Sequence, residues 1–477
     1  MTEKVATLLR DKASARWTAL ILLAMAMFFS YVFMDILSPI KDLLESTCSW
    51  DPDAFGTYAG SETFLNVFIF FLIIAGIILD KMGVRFTAIL SGLVMLVGAT
   101  INWYAVTESF MGSSLRVWFD NHLNYIPLFD ELGVSPFYEG MPASAKLSAI
   151  GFMIFGCGVE MAGITVSRGI VKWFKGKEMA LAMGSEMALA RLGVATCMIF
   201  SPVIAKMFGR IDVSRSVAFG VILLIIALVM FIVYFFMDRK LDAQTGEAEE
   251  KEPFKVKDIG TILSSSGFWL VALLCVLYYS AIFPFQKFAT EMLHYKVGFE
   301  TKDAADYFSY FPIGAMIITP LLGFYLDRRG KGATMLILGS ILMIICHLTF
   351  ALYPFVPGST SSTVIAMSAI VVLGVSFSLV PATLWPSVPK LIDNKVLGSA
   401  YSAIFWIQNV GLMSVPIVIG SILDSVNKGV PEGQPKDYTL AMLVFASFGI
   451  IALLMSLFLK AVDSKKHYGL ELPNVQK

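Results

Sequence analysis

The sequence of 477 residues has few charged side chains: they make up 15% of the chain, against about a quarter in an average soluble domain. Basic and acidic residues balance at 36 each, so no basic excess is available for a phosphate backbone and we expect no nucleic-acid partner. The five cysteines stand alone without C-x-x-C spacing, which argues against a disulfide framework or a metal cage. No catalytic, metal-ligand or phosphate-loop constellation is present, so the sequence predicts neither an enzyme nor a cofactor.

What the chain does contain is apolar: 57% of its residues are hydrophobic, with 38 Phe and 25 Met, and the mean hydropathy is +0.74. About 20 apolar residues are needed to cross a bilayer as a helix, and twelve such windows occur. They are 17–37, 63–79, 86–106, 147–171, 179–207, 217–237, 268–288, 308–326, 333–353, 364–386, 396–423 and 440–459. The pattern predicts an all-α membrane protein with 12 transmembrane helices, in contact with the lipid bilayer.

The chain divides into two halves. A polar stretch, 238–264, is predicted to be a cytoplasmic linker between six-helix bundles at 1–237 and 265–461, with a cytoplasmic tail at 462–477. If the N-terminus faces the cytoplasm, 24 of the 36 basic residues lie on the cytoplasmic side and 11 on the opposite side, while Arg191 lies within a span. This asymmetry predicts that both termini are cytoplasmic.

A repeat relates the two halves. Segment 76–85 recurs as 323–332, so that Asp80 corresponds to Asp327 at an offset of 247 (327 − 80), and both copies end a predicted helix. A second correspondence, Gly193 with Gly411, has an offset of 218. The difference of 29 (247 − 218) equals the excess of the loop 107–145, with 39 residues, over its 10-residue counterpart 354–363. The repeat therefore predicts a duplicated chain with one external insertion.

The repeated segment resembles the motif that follows the second helix in the major facilitator superfamily. The resemblance implies that family's fold, two six-helix bundles related by a pseudo-twofold axis, over the whole chain. Glycine would allow close helix packing, aspartate would accept hydrogen bonds from helix amides, and the basic residues would stay at the turn. The predicted conformational residues are Gly76, Asp80, Gly83, Arg85, Gly323, Asp327, Arg328 and Gly330.

Ionisable residues inside the predicted spans are candidates for function, because each costs at least about 2.5 kcal/mol to insert. They are Asp35, Glu160, Glu186, Arg191 and His347. Glu160 and Arg191 are equally distant from the turn that joins their helices, so they are predicted to lie at the same depth in a shared cavity. They could form a structural ion pair, or bind the ammonium and the carboxylate of a zwitterion. Arg191 is the only one of the 36 basic residues that is predicted to lie deep in a span.

The second half offers amides and aromatic rings instead of charges. Asn409 occupies the position equivalent to Arg191, and Tyr279 and Trp385 lie in the seventh and tenth predicted helices. Segments 173–178, 187–193, 278–285, 384–386 and 407–411 resemble the lysosomal dipeptide uniporter family and its prokaryotic relatives. That resemblance implies that Glu160 binds the amino terminus of a dipeptide, that Arg191 binds its carboxyl terminus, and that Trp385 lines the site.

These patterns predict a uniporter of small zwitterions, most of all dipeptides, that works by alternating access. A proton-coupled symporter or antiporter of another small organic anion is one alternative, and a non-transporting membrane sensor is another. No N-x-S/T sequon and no acidic dileucine signal occurs, which favours the cytoplasmic membrane of a prokaryote over a lysosomal membrane. The sequence does not specify an accessory subunit.

Overall fold

The computed structural model describes residues 8–131, 135–174, 179–245, 259–392, 397–431 and 434–473, and these residues form helices and connections without a β-strand. Eleven of the described helices are long and apolar enough to cross a membrane. Together with an interrupted second span, they agree with the predicted fold of 12 membrane helices. We call the side where the first span begins and the last one ends the terminal side, and the opposite side the distal side.

The first half contributes spans one to six. Spans one, three, four, five and six are, in this order, the helix Ala13–Met34, the later part of Phe71–Ala105, and the helices Ala143–Trp173, Met179–Ala205 and Val213–Thr245. Span six continues past Met237, where the first bundle was predicted to end, so the first residues assigned to the linker are helical. Residues 246–258 of that linker lie outside the described residues.

Span two is not the continuous helix predicted over 63–79. It consists of three pieces, Pro52–Ser61, Phe64–Phe68 and the first part of Phe71–Ala105. Phe70 separates the last two pieces with a left-handed φ of 53°, and Gly83, at φ 78°, turns the chain into span three. The first interruption falls on Glu62 and Thr63, directly after Ser61, where polar side chains replace the apolar run. The span was mislocated because its distal part is too polar for a hydropathy window.

The second half contains spans seven to twelve. Their helices are Ser266–Met292, Tyr310–Arg329, Gly332–Leu352, Thr360–Leu391, Leu397–Val426 and Thr439–Lys466. Two short helices, Leu293–Val297 and Thr301–Phe308, connect spans seven and eight on the distal side.

The two halves meet closely on the distal side, where span two packs against span eleven. A Cβ added to Gly56 would lie 2.4 Å from the carbonyl oxygen of Pro416 and 2.9 Å from the Cα of Gly420. Side chains are therefore excluded from this contact, and the two backbones touch. Spans five and eight form a second contact between the halves.

The insertion 107–145 folds as a small distal cap, as the helical pattern around Phe110 and Phe119 suggests. It contains the short helices Glu108–Met111, Ser114–Asn121 and Pro127–Glu131. Lys146, at the start of span four, holds the cap through hydrogen bonds to the carbonyls of Phe119 and His122 and to the side chain of Asn124. Residues 132–134 of the insertion lie outside the described residues.

Candidate functional site

Glu160 lies near the middle of span four and is half-buried. Its Oε1 accepts a hydrogen bond from Nδ2 of Asn409 at 3.3 Å, and the backbone carbonyl of Asn409 accepts one from the hydroxyl of Thr63. Span four approaches the interrupted second span because Gly156 has no side chain: a Cβ there would lie 1.8 Å from the carbonyl oxygen of Glu62. The carboxylate of Glu160 thus bridges the two halves at mid-depth.

Arg191 is also half-buried, in the middle of span five, and its guanidinium contacts aromatic rings instead of a carboxylate. It lies 4.5 Å from the ring centre of Phe377 and 5.2 Å from that of Phe283, both in the other half. Among the described ion pairs none joins Arg191 to Glu160, so the structural ion pair considered above is not formed in this state. The planar donor fork therefore stays available for a carboxylate.

Trp385 and Tyr279 form one wall of the site. The indole nitrogen of Trp385 donates to the hydroxyl of Tyr279 at 3.0 Å, and the indole stacks on Phe405 with ring centres 4.9 Å apart. Tyr279 in turn stacks on Phe283, which contacts Arg191. Trp385 and Tyr279 are thus linked to Arg191 through aromatic contacts, whereas Asn409 contacts Glu160.

Tyr31 in span one was not predicted and belongs to the same site. Its hydroxyl lies within electrostatic range of Arg191, Glu186 and Glu160. It is one of 16 tyrosines, and no pattern in the sequence distinguishes it. Span one packs closely against span five near Tyr31 because Gly193 has no side chain: a Cβ there would lie 2.4 Å from the carbonyl oxygen of Phe28.

Open space lies on the terminal side of these residues. An added Cβ on Gly163, one turn beyond Glu160, or on Gly184, two turns before Arg191, would meet no described atom within 4 Å. The same holds for Gly76 and Gly323, so the close packing predicted for the two motif glycines is absent in this state. The described residues therefore leave space beside both helices on the terminal side of the site.

On the distal side, the site is closed by ion pairs. Lys287 in span seven donates to Asp35 of span one at 2.9 Å and to Glu62 at 3.4 Å, and its side chain is 10% exposed. Asp35, one of the ionisable candidates in the predicted spans, also accepts a hydrogen bond from the amide of Gln286. Lys287 is a second buried basic residue within a predicted span, but it lies at the distal end of the window 268–288, whereas Arg191 lies in the middle of span five.

A second group of charges lies farther toward the distal surface. Lys41 and Lys436 both contact the carboxylate of Glu291, Lys436 also pairs with Glu45, and Tyr438 donates to Glu291. We call these five residues the distal ion cluster. Burial opposes the charge of Lys436, but the Glu291 and Glu45 carboxylates outweigh it and raise the pKa of its ammonium above the usual value. Lys41 and Glu45 lie on the short helix Lys41–Cys48 that follows span one, and Glu291 lies in span seven, so the cluster joins the two halves.

The first predicted conformational turn is held within its own half. Arg85 pairs with Asp242 at the end of span six at 3.0 Å, and Lys172 of span four pairs with both Asp242 and Asp238 at 2.6 Å. Gly83 provides the positive φ that this turn requires. The side chain of Asp80 lies outside the described residues.

The second conformational turn has different partners. Gly330 has a φ of 70°, and a Cβ there would lie 2.4 Å from the carbonyl oxygen of Glu471 in the C-terminal tail. Arg328 lies over the ring of Phe324 at 4.0 Å. The side chain of Asp327 lies outside the described residues.

The remaining two ionisable candidates, Glu186 and His347, lie in different helices, spans five and nine. Glu186 lies within electrostatic range of Arg191, one and a half turns nearer the terminal side. His347 is buried between Phe285 and Phe445, with ring centres 5.0 and 5.4 Å away, which fits a packing role.

A family model described as "Major Facilitator Superfamily" matches residues 23–416, most of the chain. The chain belongs to the major facilitator superfamily. It is 32% identical over 338 residues to a protein of Danio rerio named lysosomal dipeptide transporter MFSD1, which covers 68% of each chain. The protein of the same name from Homo sapiens is 28% identical over 288 residues, 58% of this chain and 60% of the relative.

Solved structures of this superfamily share the fold at low identity. The nucleoside transporter NupG aligns with a TM-score of 0.65 at 14% identity, covering 92% of this chain and 98% of NupG. A D-xylose-proton symporter aligns with a TM-score of 0.65 at 11% identity, covering 92% and 97%. A bacterial homologue of the human lysosomal transporter Spinster aligns with a TM-score of 0.63 at 13% identity, covering 94% and 98%. The chain is thus a multi-pass membrane transporter of this superfamily.

Proposed function

We propose that this transporter carries small zwitterions, most of all dipeptides, by alternating access and as a uniporter. The observation that carries the proposal is the presence of Glu160 and Arg191 in one site without a mutual ion pair. Two opposite charges at mid-depth cost free energy unless they are paired, and a ligand with both an ammonium and a carboxylate pairs both at once. The names of the Danio rerio and human relatives support a dipeptide as that ligand.

In this proposal the ammonium of the substrate lies against Glu160 and Asn409, and its carboxylate lies against the guanidinium of Arg191. The aromatic wall of Tyr279 and Trp385 accommodates side chains. Phe283 and Phe377 contact the guanidinium, and its N–H groups would form two parallel hydrogen bonds with the substrate carboxylate. The described state then accepts substrate from the terminal side.

Transport requires that the distal contacts open while the terminal side closes. We propose that the two six-helix bundles, 1–237 and 265–461, rock about the site, and that the turns with Asp80 and Asp327 engage when the terminal side closes. We further propose that the terminal side is cytoplasmic, as the basic residues predict. A prokaryotic cytoplasmic membrane suits a chain without sequons, although the relatives are named lysosomal.

Uptake into proteoliposomes tests this function. Radiolabelled Ala-Ala should enter liposomes that contain the wild-type protein, and Glu160→Gln and Arg191→Ala should each abolish uptake. The matched controls are Glu139→Gln and Arg116→Ala, which change the same residue types in the distal cap. Absence of Ala-Ala uptake by the wild type, or uptake that survives both site substitutions, would contradict the proposal.

The second candidate is proton-coupled transport at the same site. The buried group of Asp35, Glu62 and Lys287 favours it, because two carboxylates share one ammonium there. An imposed pH gradient then drives accumulation of substrate above its external concentration. A uniporter equilibrates the substrate in the same experiment and does not accumulate it.

A further inference from the structure

Asn66, on the short piece Phe64–Phe68 of span two, has no hydrogen-bond partner among the described residues for either atom of its amide. Its side chain is buried, with 1% of its surface exposed. A buried amide that lacks partners costs free energy, and such a group in a folded protein needs an explanation. Asn66 lies between two interruptions of a membrane helix, and interrupted helices commonly border the substrate site of a transporter. The unpaired amide is therefore best explained by its position at such a site.

The helical register places Asn66 beside Glu160. Tyr58 stacks on Phe152 with ring centres 4.5 Å apart, and the carbonyl of Glu62 meets Gly156. Both pairs differ by 94 in residue number (152 − 58 and 156 − 62). Glu62 keeps helical φ and ψ, and the amide of Val67 donates to the carbonyl of Thr63, so the helical turn continues across the interruption. Spans two and four run in the same direction, and the next turn is therefore expected to pair residue 66 with residue 160.

The neighbours of Asn66 fix the direction of its side chain. Phe64 and Phe68 contact Phe129 of the distal cap, with ring centres 4.9 and 4.4 Å apart. Residues two positions apart on a helix point about 200° apart, so Asn66 faces away from the cap and into the protein. Thr63, one turn earlier, donates to the backbone of Asn409, which is the residue that donates to Glu160.

We infer that Asn66 is a substrate-binding residue that hydrogen-bonds the peptide group of a bound dipeptide. A carboxamide carries both a donor and an acceptor, as a peptide group does, so one asparagine can pair with the N–H and the C=O together. The position beside Glu160 puts it next to the amino-terminal end of the ligand. This inference rests on the proposed dipeptide function. In this proposal the interruptions at 62–63 and at Phe70 let the piece Phe64–Phe68 shift as the ligand binds.

Two ligands that differ only in the peptide group test the inference. Gly-Gly and δ-aminovalerate have the same number of atoms between ammonium and carboxylate, but the latter has methylenes in place of the peptide group. Their Kd values are measured by isothermal titration calorimetry on the full-length protein in detergent, for the wild type, Asn66→Leu and Asn66→Ala. Asn102→Leu is the control, since Asn102 is a buried asparagine that donates to Tyr58 away from the site.

The wild type should bind Gly-Gly about tenfold more tightly than δ-aminovalerate, and both Asn66 variants should lose this preference by weakening Gly-Gly alone. Asn66→Leu should also raise the Tm of the ligand-free protein, since an unpaired buried amide is removed. Equal weakening of both ligands, or an unchanged preference, would overturn the inference and leave the dipeptide function standing. Failure of Gly-Gly to bind the wild type would overturn both.

Discussion

The distal ion cluster allows a quantitative prediction about the conformational equilibrium. Glu291 and Lys41 each have side chains that are 1% exposed, and Glu291 also contacts Lys436 at 3.3 Å. In Glu291→Gln two ammonium groups stay buried with the single carboxylate of Glu45. Removing one partner of a buried ion pair costs about 3–5 kcal/mol, and this cost falls on the closed distal side, because opening hydrates the lysines. Because the Glu45 carboxylate still pairs with Lys436, we expect the lower value, about 3 kcal/mol. This free energy shifts the equilibrium between the distal-closed and the distal-open state about a hundredfold toward the open state.

Distances between spin labels report this shift. Cysteines that replace the exposed residues Ser49 and Lys428 place one label on each half at the distal side. The five native cysteines are buried, so the labels should react with the introduced thiols. Glu291→Gln should add a longer distance that dominates the distribution. The control is Asp306→Asn, which removes an exposed pair with Lys302 inside one half and should leave the distances unchanged. An unaltered distribution in Glu291→Gln would refute the assignment of the cluster as the fastening of the distal side.

Three further changes have expected outcomes. Asp238→Asn should lower the Tm in detergent by several degrees, because this buried carboxylate accepts from Lys172, Trp173 and Tyr234; an unchanged Tm would contradict its role. Trp385→Phe should raise the KM for dipeptide uptake about fivefold by releasing the hydroxyl of Tyr279, with kcat as the internal control. Gly56→Ala should populate the distal-open state, since its Cβ would lie 2.4 Å from a carbonyl of the other half; unchanged label distances would argue against this contact.

Much of the architecture follows from composition and periodicity, because a membrane helix must satisfy its backbone internally and must be long and apolar. The second span fails this criterion locally, and its interruption appears only in the structure. The hydrogen bonds of Thr63 to Asn409 and of Trp406 to the carbonyl of Val67 hold the interrupted backbone, and both come from a span more than 300 residues away in sequence. No local pattern records such partners.

The charged residues of the candidate site can be predicted from the sequence, but its uncharged residues cannot. Glu160 and Arg191 stand out because ionisable residues are rare in apolar runs. Tyr31 and Asn66 do not stand out, because polar uncharged residues are common in membrane helices and their role depends on what they face. Lys287 does not stand out for a different reason: it lies at the very end of the predicted window 268–288, and its burial depends on Asp35 and Glu62 of the other half.

The duplicated turns show how far equivalence in sequence constrains structure. Both copies supply a glycine with positive φ, Gly83 and Gly330, but only the second copy follows it with another left-handed residue, Lys331. Their surroundings differ: Arg85 is fixed by the end of span six, whereas the amides of Lys331 and Gly332 donate to the carbonyls of Glu471 and Leu470 in the tail. The local sequence gives both turns a glycine with positive φ, but their partners differ: the end of span six for the first turn and the C-terminal tail for the second. The two turns therefore present different surfaces on the terminal side, and we expect the proposed rocking of the halves to be asymmetric there although the fold is duplicated.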